Sequence, residues 1–144
     1  MTLSAASYTY DGKVKKPSVT VKDSKGNKIG SQYYTVSYPS GRKNVGKYTV
    51  KVTFKGNYIG SKSATFAIKP KGTSVAKVTA AKKGFKVTWK KQATQTTGYE
   101  VQYSTASNFK KGTKTVTVSK NKTTSKSVSK LSAKKKYYVR VRTY

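Results

Sequence analysis

The feature that most restricts the fold is a two-residue period in hydrophobicity that runs through most of the chain. In residues 48–54, for example, Tyr, Val and Phe alternate with Thr and Lys. Successive side chains of a β-strand point to opposite faces, so each such run buries one face and exposes the other. Turn-forming residues separate the runs at short intervals, as at Lys25-Gly26-Asn27. The pattern predicts an all-β sandwich or barrel with almost no helix.

Aromatic residues supply a core that the rest of the composition lacks. Only 34% of the residues are hydrophobic and the mean hydropathy is −0.71, values that approach those of disordered chains. The chain nevertheless has 12 Tyr, 4 Phe and one Trp, and each ring buries a large apolar area. We therefore expect a folded chain whose core depends on aromatic side chains.

A break in the strand pattern near Pro70 predicts two domains. The alternation ends at Ile68-Lys69-Pro70-Lys71-Gly72-Thr73 and starts again at Val75. We place one domain at residues 1–70 and a second at residues 71–144. The first has 13 basic and 2 acidic residues and the second has 19 and 1, so both contribute to the net charge of +29. The positive charge therefore belongs to the whole surface rather than to a tail.

The composition excludes most catalytic and metal-binding chemistry. The chain has no Cys and no His, which removes disulfides, thiol nucleophiles, the usual general base and the commonest metal ligand. Its only carboxylates are Asp11, Asp23 and Glu100, too few for a calcium cage or a paired-carboxylate glycosidase site. We predict a binding or structural module with no enzymatic activity, catalytic residue, cofactor or metal.

Each of the three carboxylates has a structural interpretation. Asp11 and Asp23 stand at turn signals, where Asp usually caps its own backbone. Glu100 points outward if its neighbours in the strand point inward, and in the family fold that the second half resembles, where the third and sixth strands are neighbours, it would pair with Arg140 or Arg142 across the sheet. An intramolecular isopeptide bond promoted by Glu100 is the alternative, and the outward direction of the side chain opposes it.

The second half carries a fixed order of hydrophobic motifs. They are a Phe-x-Val-x-Trp strand that ends at Trp89, a Tyr-x-Val-x-Tyr strand that starts at Tyr99, and Leu131 six positions before Tyr137. In this order they resemble the fibronectin type III family over residues 73–144. The resemblance implies that these four residues are structural. Tyr137 would take the tyrosine-corner position, with its hydroxyl bonded to backbone near the preceding loop.

That resemblance also implies a missing strand. A fibronectin type III module has seven strands, whereas the sequence provides six before Tyr144. We therefore expect a C-terminally truncated second domain, with Tyr138, Arg140 and Arg142 on an unprotected strand edge. Such an edge would either form a dimer or fray. The alternative is that linker residues supply the lost strand partner.

The first half resembles bacterial immunoglobulin-like surface repeats of the Tyr-Asp-Gly type over residues 5–69. The matching motifs are Tyr10-Asp11-Gly12, Gly46-Lys47-Tyr48-Thr49-Val50 and Gly56-Asn57-Tyr58-Ile59-Gly60, followed by Phe66 and Ile68. The resemblance implies a piece of an exported, multidomain cell-surface protein of a Gram-positive bacterium, with neighbouring repeat domains as partners. The two halves together predict two tandem immunoglobulin-like β-sandwiches.

Clustered basic residues are the strongest candidates for a binding function. The candidate anion-binding residues are Lys82, Lys83, Lys90, Lys91, Lys110, Lys111, Lys134, Lys135, Lys136, Arg140 and Arg142. A fibronectin-like fold would distribute the lysine clusters, which lie in turns, between both ends of the sandwich. We expect weak, salt-dependent binding to anionic cell-wall polymers or acidic glycans. The alternative is that Lys only maintains solubility and protects strand edges from aggregation.

The sequence opposes two other classes of partner. Arg, which reads phosphate geometry better than Lys, occurs only three times, and no nucleic-acid-binding motif is present, so we predict no sequence-specific nucleic acid binding. No apolar run approaches the ~18–20 residues that cross a bilayer, so we predict no membrane insertion. The start at Met1 lacks signal-peptide features, and any export signal is expected outside this chain.

Two smaller features remain open. Tyr33, Tyr58, Tyr138 and Tyr144 fall outside the inward registers and could form a stacking platform for sugars or bases, although covering sheet edges and the interdomain contact is the favoured role. Asn121-Lys122-Thr123 matches a glycosylation acceptor, and we assign it no function because short patterns recur by chance. The sequence thus predicts a stalk module of a cell-surface protein, with an adhesin or carbohydrate-binding module as the alternative.

Overall fold

A computed structural model describes residues Met1–Tyr144 and divides them into two compact units. Unit 1 comprises Met1–Lys69 and unit 2 comprises Pro70–Tyr144. Strands hold 45% of the residues and helix only 2%, which confirms the predicted all-β class of immunoglobulin-like sandwiches. The helical residues form one 3-10 turn, Ser31–Tyr33. No helix has the length and apolar character that spanning a bilayer requires.

Unit 1 contains six strands in two sheets. A four-stranded sheet has the order β2-β6-β5-β4, in which β2 is parallel to β6, and a two-stranded sheet pairs β1 with β3. The strands are β1 (Thr2–Leu3), β2 (Ser7–Thr9), β3 (Val19–Thr20), β4 (Tyr34–Ser37), β5 (Gly46–Phe54) and β6 (Ser61–Lys69).

The core of unit 1 follows the two-residue period of β5 and β6. In β5 the side chains of Val50 and Val52 are fully buried, while the flanking Thr49, Lys51 and Thr53 are exposed. Phe66 of β6 packs with Val50, and partly buried Leu3 of the smaller sheet covers the same cluster. The alternation predicted for residues 48–54 is therefore confirmed.

Both aspartates of unit 1 form turns, as predicted. Asp11 accepts hydrogen bonds from the backbone N of Lys13 at 2.9 Å and from Nζ of Lys15 at 2.5 Å. Asp23 accepts from the backbone N of Lys25 and of Asn27 at 2.9 and 2.8 Å. The Lys15 ammonium and then the Lys13 amide lower the pKa of Asp11 below its ordinary value of 3.8. The Asn27 amide does most to lower the pKa of Asp23.

Unit 2 also contains six strands, the number counted from the sequence. Its two three-stranded antiparallel sheets have the orders β11-β8-β7 and β10-β9-β12. The strands are β7 (Val75–Ala81), β8 (Gly84–Trp89), β9 (Tyr99–Ser104), β10 (Lys114–Val118), β11 (Ser125–Val128) and β12 (Tyr138–Thr143).

Aromatic pairs join the two sheets of unit 2. The rings of Trp89 and Tyr99 lie 5.2 Å apart, and those of Phe85 and Tyr103 lie 5.7 Å apart in an edge-to-face arrangement. Each pair links the centre of one sheet, β8, to the centre of the other, β9. Leu131, in the loop before β12, belongs to the same buried cluster. Aromatic burial thus compensates for the low hydropathy of the chain.

The hydroxyl that ties loops together in unit 2 belongs to Tyr99 rather than to Tyr137. The Tyr99 hydroxyl accepts from the backbone N of Gln92 at 2.8 Å and donates to the carbonyl of Asn121 at 2.9 Å. Tyr137 was expected to bond backbone, but its hydroxyl makes no hydrogen bond. Its half-buried ring instead stands 6.2 Å from that of Tyr103, beside an open groove that solvent can enter.

Strand β12 lies at the edge of its sheet, where the sequence places it. It pairs only with β9, and Arg142 stands opposite Glu100 in the register. Arg142 and Glu100 form an ion pair, which confirms the predicted cross-strand partner. Of the linker residues, Lys71 accepts a hydrogen bond from the Thr143 hydroxyl at 2.9 Å. No linker residue pairs with β12 in the sheet, so the linker adds no strand to this edge.

Candidate anion-binding site

Three connections of unit 2 meet at one end of the sandwich. The backbone N of Leu131, in the β11–β12 loop, donates to the carbonyl of Lys83, in the β7–β8 turn, at 2.9 Å. Gly112, in the β9–β10 loop, lines a small cavity of about 150 Å³ together with Leu131 and Ser132. The topology therefore gathers loops that are up to fifty residues apart in sequence.

These connections carry eight exposed lysines, which we call the lysine-rich end. Its members are Lys82, Lys83, Lys110, Lys111, Lys130, Lys134, Lys135 and Lys136. Seven of them belong to the predicted clusters, and the structure adds Lys130. An isolated lysine gave no cluster signal in the sequence, although its position directly before the buried Leu131 could have placed it in this loop.

The opposite end of unit 2 holds fewer cations. The side-chain amide of Asn121 donates to the carbonyl of Thr96 at 2.9 Å and thereby joins the β10–β11 and β8–β9 loops. These loops carry four lysines. They are Lys90, Lys91, Lys120 and Lys122. Lys71, whose carbonyl accepts from Thr143 at the end of β12, lies at this end as well, so both ends are basic and the count is eight lysines against five.

No carboxylate offsets the charge of the lysine-rich end. The chain contains two ion pairs, Lys15 with Asp11 in unit 1 and Arg142 with Glu100 in unit 2. Glu100 lies on β9 two residues after Gly98, in the half of the strand away from the β9–β10 loop. The eight ammonium groups therefore act together on an approaching anion, and their field is weakened mainly by dissolved salt.

The two candidate arginines are engaged with protein groups. Arg142 pairs with Glu100, and its side chain is 64% exposed. Arg140 donates from Nε to Oε1 of Gln102 at 2.8 Å and stacks on Phe109 with 4.3 Å between the guanidinium carbon and the ring centroid. Phe109 belongs to the β9–β10 loop, so Arg140 borders the lysine-rich end whereas Arg142 does not.

Backbone strain is concentrated at the same end. Lys83, Lys130 and Lys134 have φ values of 49°, 59° and 56°, and Phe109 has 56°. Each is a non-glycine residue in the left-handed region, which costs about 1–2 kcal/mol. Strained residues are enriched at functional sites. This strain and the uncompensated charge single out the lysine-rich end as the candidate site.

The tyrosines outside the inward registers do not form one platform. Tyr33 and Tyr58 of unit 1 are adjacent, with ring centroids 5.4 Å apart and planes tilted by 59°. Tyr138 of unit 2 lies beneath the ammonium of Lys136 at 5.1 Å. The backbone of Tyr144 exchanges hydrogen bonds with Gly98. Only the first two could act together on a ligand.

Unit 1 has a second cationic feature around Tyr38. The Nζ of Lys16 and the guanidinium carbon of Arg42 each lie 5.4 Å from the centre of the Tyr38 ring. The Tyr38 hydroxyl donates to the carbonyl of Pro17 at 2.7 Å. Burial raises the pKa of Tyr38 above 10.0, although the neighbouring Arg42 charge opposes that shift. Arg42 donates from Nη1 to the carbonyl of Pro39 at 2.7 Å, so the ring and the guanidinium both hold the local backbone, which indicates a structural role.

Comparison with known proteins identifies the second unit. Residues 68–144 match the family model described as the fibronectin type III domain. Domains of this family are generally non-catalytic structural modules and typically occur in extracellular proteins. No curated protein sequence matches the chain significantly.

Proposed function

The chain belongs to the fibronectin type III family through residues 68–144, and we propose that it is a structural module of an exported bacterial cell-surface protein. In this role it forms part of a non-enzymatic stalk that holds a distal functional domain away from a Gram-positive cell wall. Unit 1 acts as an immunoglobulin-like repeat of the Tyr-Asp-Gly type. Neighbouring repeat domains of the same protein are its covalent partners.

We further propose that the lysine-rich end holds anionic wall polymer. The observation that carries this proposal is the set of eight exposed lysines with no carboxylate among them. Teichoic acids carry phosphate at high density, and an ammonium group attracts phosphate as a point charge without demanding one geometry. Such binding is weak and tolerant of polymer sequence, which suits attachment to a repetitive wall.

The test measures binding of the full chain to teichoic acid as the salt concentration rises to about 0.15 M, where charges are screened over about 8 Å. The test variant combines Lys134→Gln, Lys135→Gln and Lys136→Gln. Each lost phosphate contact lowers the slope of log affinity against log salt by about 0.7–0.9. We expect the slope to fall by about 2–3 and the affinity at low salt to fall at least tenfold.

The matched control removes the same charge from the opposite end with Lys90→Gln, Lys91→Gln and Lys120→Gln. It should change the slope by less than one. Equal losses in both triple variants would show that net charge alone attracts the polymer, and the lysine-rich end would then be no site. Heparin and DNA serve as comparison ligands, because a non-specific positive electrostatic field would bind these polyanions about as tightly as it binds teichoic acid.

A second function, recognition of glycans by an adhesin or carbohydrate-binding module, is favoured by one observation in unit 1. Tyr33 and Tyr58 form an exposed aromatic pair beside Ile59, which is 93% exposed. Aromatic faces stack on sugar rings, and exposed apolar groups next to them extend that surface. Tyr58→Ala should abolish binding to any neutral glycan that the chain retains at physiological salt, whereas Val14→Ala, an exposed control in the same unit, should not.

A further inference from the structure

One end of unit 1 presents apolar side chains to solvent. The register of β4 and β5 places the start of β4 beside the end of β5 at this end. The backbone N of Lys55 donates to the carbonyl of Tyr33 at 2.9 Å, which joins the 3-10 turn before β4 to the β5–β6 turn. Together these two turns carry Tyr33, Tyr58 and Ile59, which we call the aromatic end of unit 1.

Ile59 protrudes furthest from the aromatic end. Its side chain is 93% exposed, whereas Tyr33 and Tyr58 are 38% and 37% exposed. The ring of Tyr58 lies 6.2 Å from that of Phe54, which packs against the core of unit 1. The core therefore fixes the turn that holds Ile59 in water. An exposed apolar patch with a polar rim is typical of a surface that contacts a protein or a membrane.

Exposed lysines lie at the same end of unit 1. A hairpin over residues 22–28 leaves the buried side chains of Val21 and Ile29, and these pack in one cluster with residues at the start of β4 and the end of β5. The hairpin carries three exposed lysines, and the β5–β6 turn carries a fourth. They are Lys22, Lys25, Lys28 and Lys55.

A single carboxylate accompanies these four lysines. Asp23 accepts hydrogen bonds from the backbone N of Lys25 and of Asn27 within its own turn. The other carboxylate of unit 1, Asp11, pairs with Lys15. Four lysines against one aspartate leave this end with a net positive charge beside its apolar side chains.

The combination of charge and apolar surface distinguishes between classes of partner. A neutral sugar would stack on the tyrosine rings, whose planes are tilted by 59°, and would leave the lysines unused. A soluble polyanion would bind the lysines and gain nothing from Ile59. An anionic bilayer offers a negative surface for lysines, a headgroup layer in which Tyr is enriched, and an apolar layer below it for an aliphatic side chain.

We propose that the aromatic end of unit 1 docks on an anionic lipid bilayer. Ile59 reaches below the headgroups, Tyr33 and Tyr58 lie at their level, and the lysines approach the lipid phosphates. The contact involves only the interfacial layer, so no segment of the chain spans the bilayer. This inference is independent of the wall-polymer function, which concerns unit 2. It also differs from the glycan function of the same two tyrosines, and the experiment separates the two.

The test places one environment-sensitive label at the aromatic end. Because the chain has no Cys, Ile59→Cys carries a nitrobenzoxadiazole group at that position alone. The labelled full chain is mixed at physiological salt with vesicles of equal parts of phosphatidylglycerol and phosphatidylcholine. We expect the emission of the label to shift to the blue and to be quenched by lipids that carry a nitroxide on the acyl chain. An unchanged emission would overturn the proposal.

Val14→Cys with the same label is the matched control. Val14 is 58% exposed, and its neighbour Lys15 donates from the backbone N to the carbonyl of Arg42, in the β4–β5 loop at the opposite end of unit 1. This label should remain in water. Equal responses of the two labels would show that the net charge of +29 adsorbs the chain without orientation, and the proposal would fail.

A pair of unlabelled variants measures the apolar contribution. Ile59→Ser should weaken vesicle binding about tenfold without changing charge. Val14→Ser should leave it unchanged. Both positions are exposed, and thermal unfolding checks that both variants stay folded. Equal binding by the two variants would contradict the proposed insertion of Ile59.

A pair of triple variants measures the charge contribution. Lys22→Gln, Lys25→Gln and Lys28→Gln together should weaken binding to these vesicles about tenfold or more. The triple Gln variant at residues 134–136, which removes the same charge from the lysine-rich end of unit 2, should leave the blue shift at position 59 in place. Failure of this proposal is thereby distinguished from failure of the wall-polymer function, which is tested by the same variant with teichoic acid.

Two results would assign the aromatic end to another occupant and overturn the proposal. A blue shift at position 59 without vesicles, together with dimers in sedimentation as the protein concentration rises, would identify a second copy of the chain. Retention of a neutral glycan that Tyr58→Ala abolishes, together with vesicle binding that Ile59→Ser leaves unchanged, would identify a glycan site.

Discussion

The two units build their turns with different residues. Seven glycines have positive φ, and six of them lie in unit 1, whereas all five non-glycine residues with positive φ lie in unit 2. Gly adopts this conformation without strain but loses more entropy on folding, whereas other residues store steric strain. Forming the turns of unit 1 therefore costs backbone conformational entropy, because an unfolded glycine samples more conformations. Forming the turns of unit 2 costs steric strain in the folded state, chiefly at its lysine-rich end.

In unit 2, Gly98 allows two backbone segments to approach closely. Of the substitutions considered, Gly98→Ala should lower the free energy of unfolding most. A methyl group at Gly98 would overlap the carbonyl oxygen of Val118, so the substitution should destabilise unit 2 by about 1–3 kcal/mol. Urea unfolding followed by the fluorescence of Trp89, the one Trp of the chain, measures the change. Gly72→Ala, where the added methyl meets open space, is the control, and an equal loss there would contradict the close approach.

The hydroxyl of Tyr99 should contribute more to stability than that of Tyr137. Tyr99→Phe leaves the amide of Gln92 and the carbonyl of Asn121 without their partner, so it should cost about 1–2 kcal/mol. Tyr137→Phe should stay within about 0.5 kcal/mol, since its hydroxyl bonds nothing. The same fluorescence assay compares them. A larger loss for Tyr137 would restore the tyrosine-corner interpretation of the sequence.

A turn in unit 1 tests the other half of the comparison. Gly26 has φ of 87° and no atom within 4 Å of an added methyl, so Gly26→Ala should destabilise unit 1 by about 1 kcal/mol through backbone strain alone. Hydrogen exchange of the Val50 amide in the core of unit 1 reports the change. Gly26→Asn should recover part of the loss, because Asn tolerates this conformation. Identical losses for both variants would exclude the backbone explanation.

Replacing a strained lysine of unit 2 with glycine should stabilise that unit, by less than Gly26→Ala destabilises unit 1. Lys134 has φ of 56°, and Lys134→Gly should relieve its strain for a net gain of about 0.5 kcal/mol after the entropy cost of glycine. Lys135→Gly removes the same charge at a position without positive φ and should give no gain. Thermal unfolding followed at Trp89 distinguishes the two variants. A gain shared by both would assign the effect to charge repulsion.

Lowering the pH should weaken the two aspartate turns of unit 1. This is the smallest of the expected changes in stability. The pKa values of Asp11 and Asp23 are lower in the folded state than the ordinary 3.8. Their stabilising contribution is therefore complete above the unfolded pKa and is lost as the pH falls through the folded pKa. The amides of Lys13 and Asn27, which bond these carboxylates, should lose protection below about pH 4. Asp11→Asn combined with Asp23→Asn should make the protection independent of pH in this range.

Local features of the sequence predicted the strands and most of the turns. The period of residues 48–54 fixed which side chains of β5 are buried, and Asp23 before Gly26 marked a turn that the structure contains. The outward direction of Glu100 also followed from alternation, whereas its pairing with Arg142 required the strand order that the family resemblance implied. These predictions succeed because side-chain direction in a strand and Asx turns depend on neighbouring residues alone.

The sequence by itself determined an all-β chain with a basic surface. It also determined that Lys, Tyr and the backbone supply most of the polar groups that could bind a ligand. Only the tertiary structure decided that Lys83, Lys111 and Lys134 share one end, that Tyr99 rather than Tyr137 joins the loops, and that a groove opens beside Val139. The physical reason is that hydrophobic periodicity acts over a few residues. The meeting of distant loops and strand edges depends instead on which strands pair and which remain at the edge.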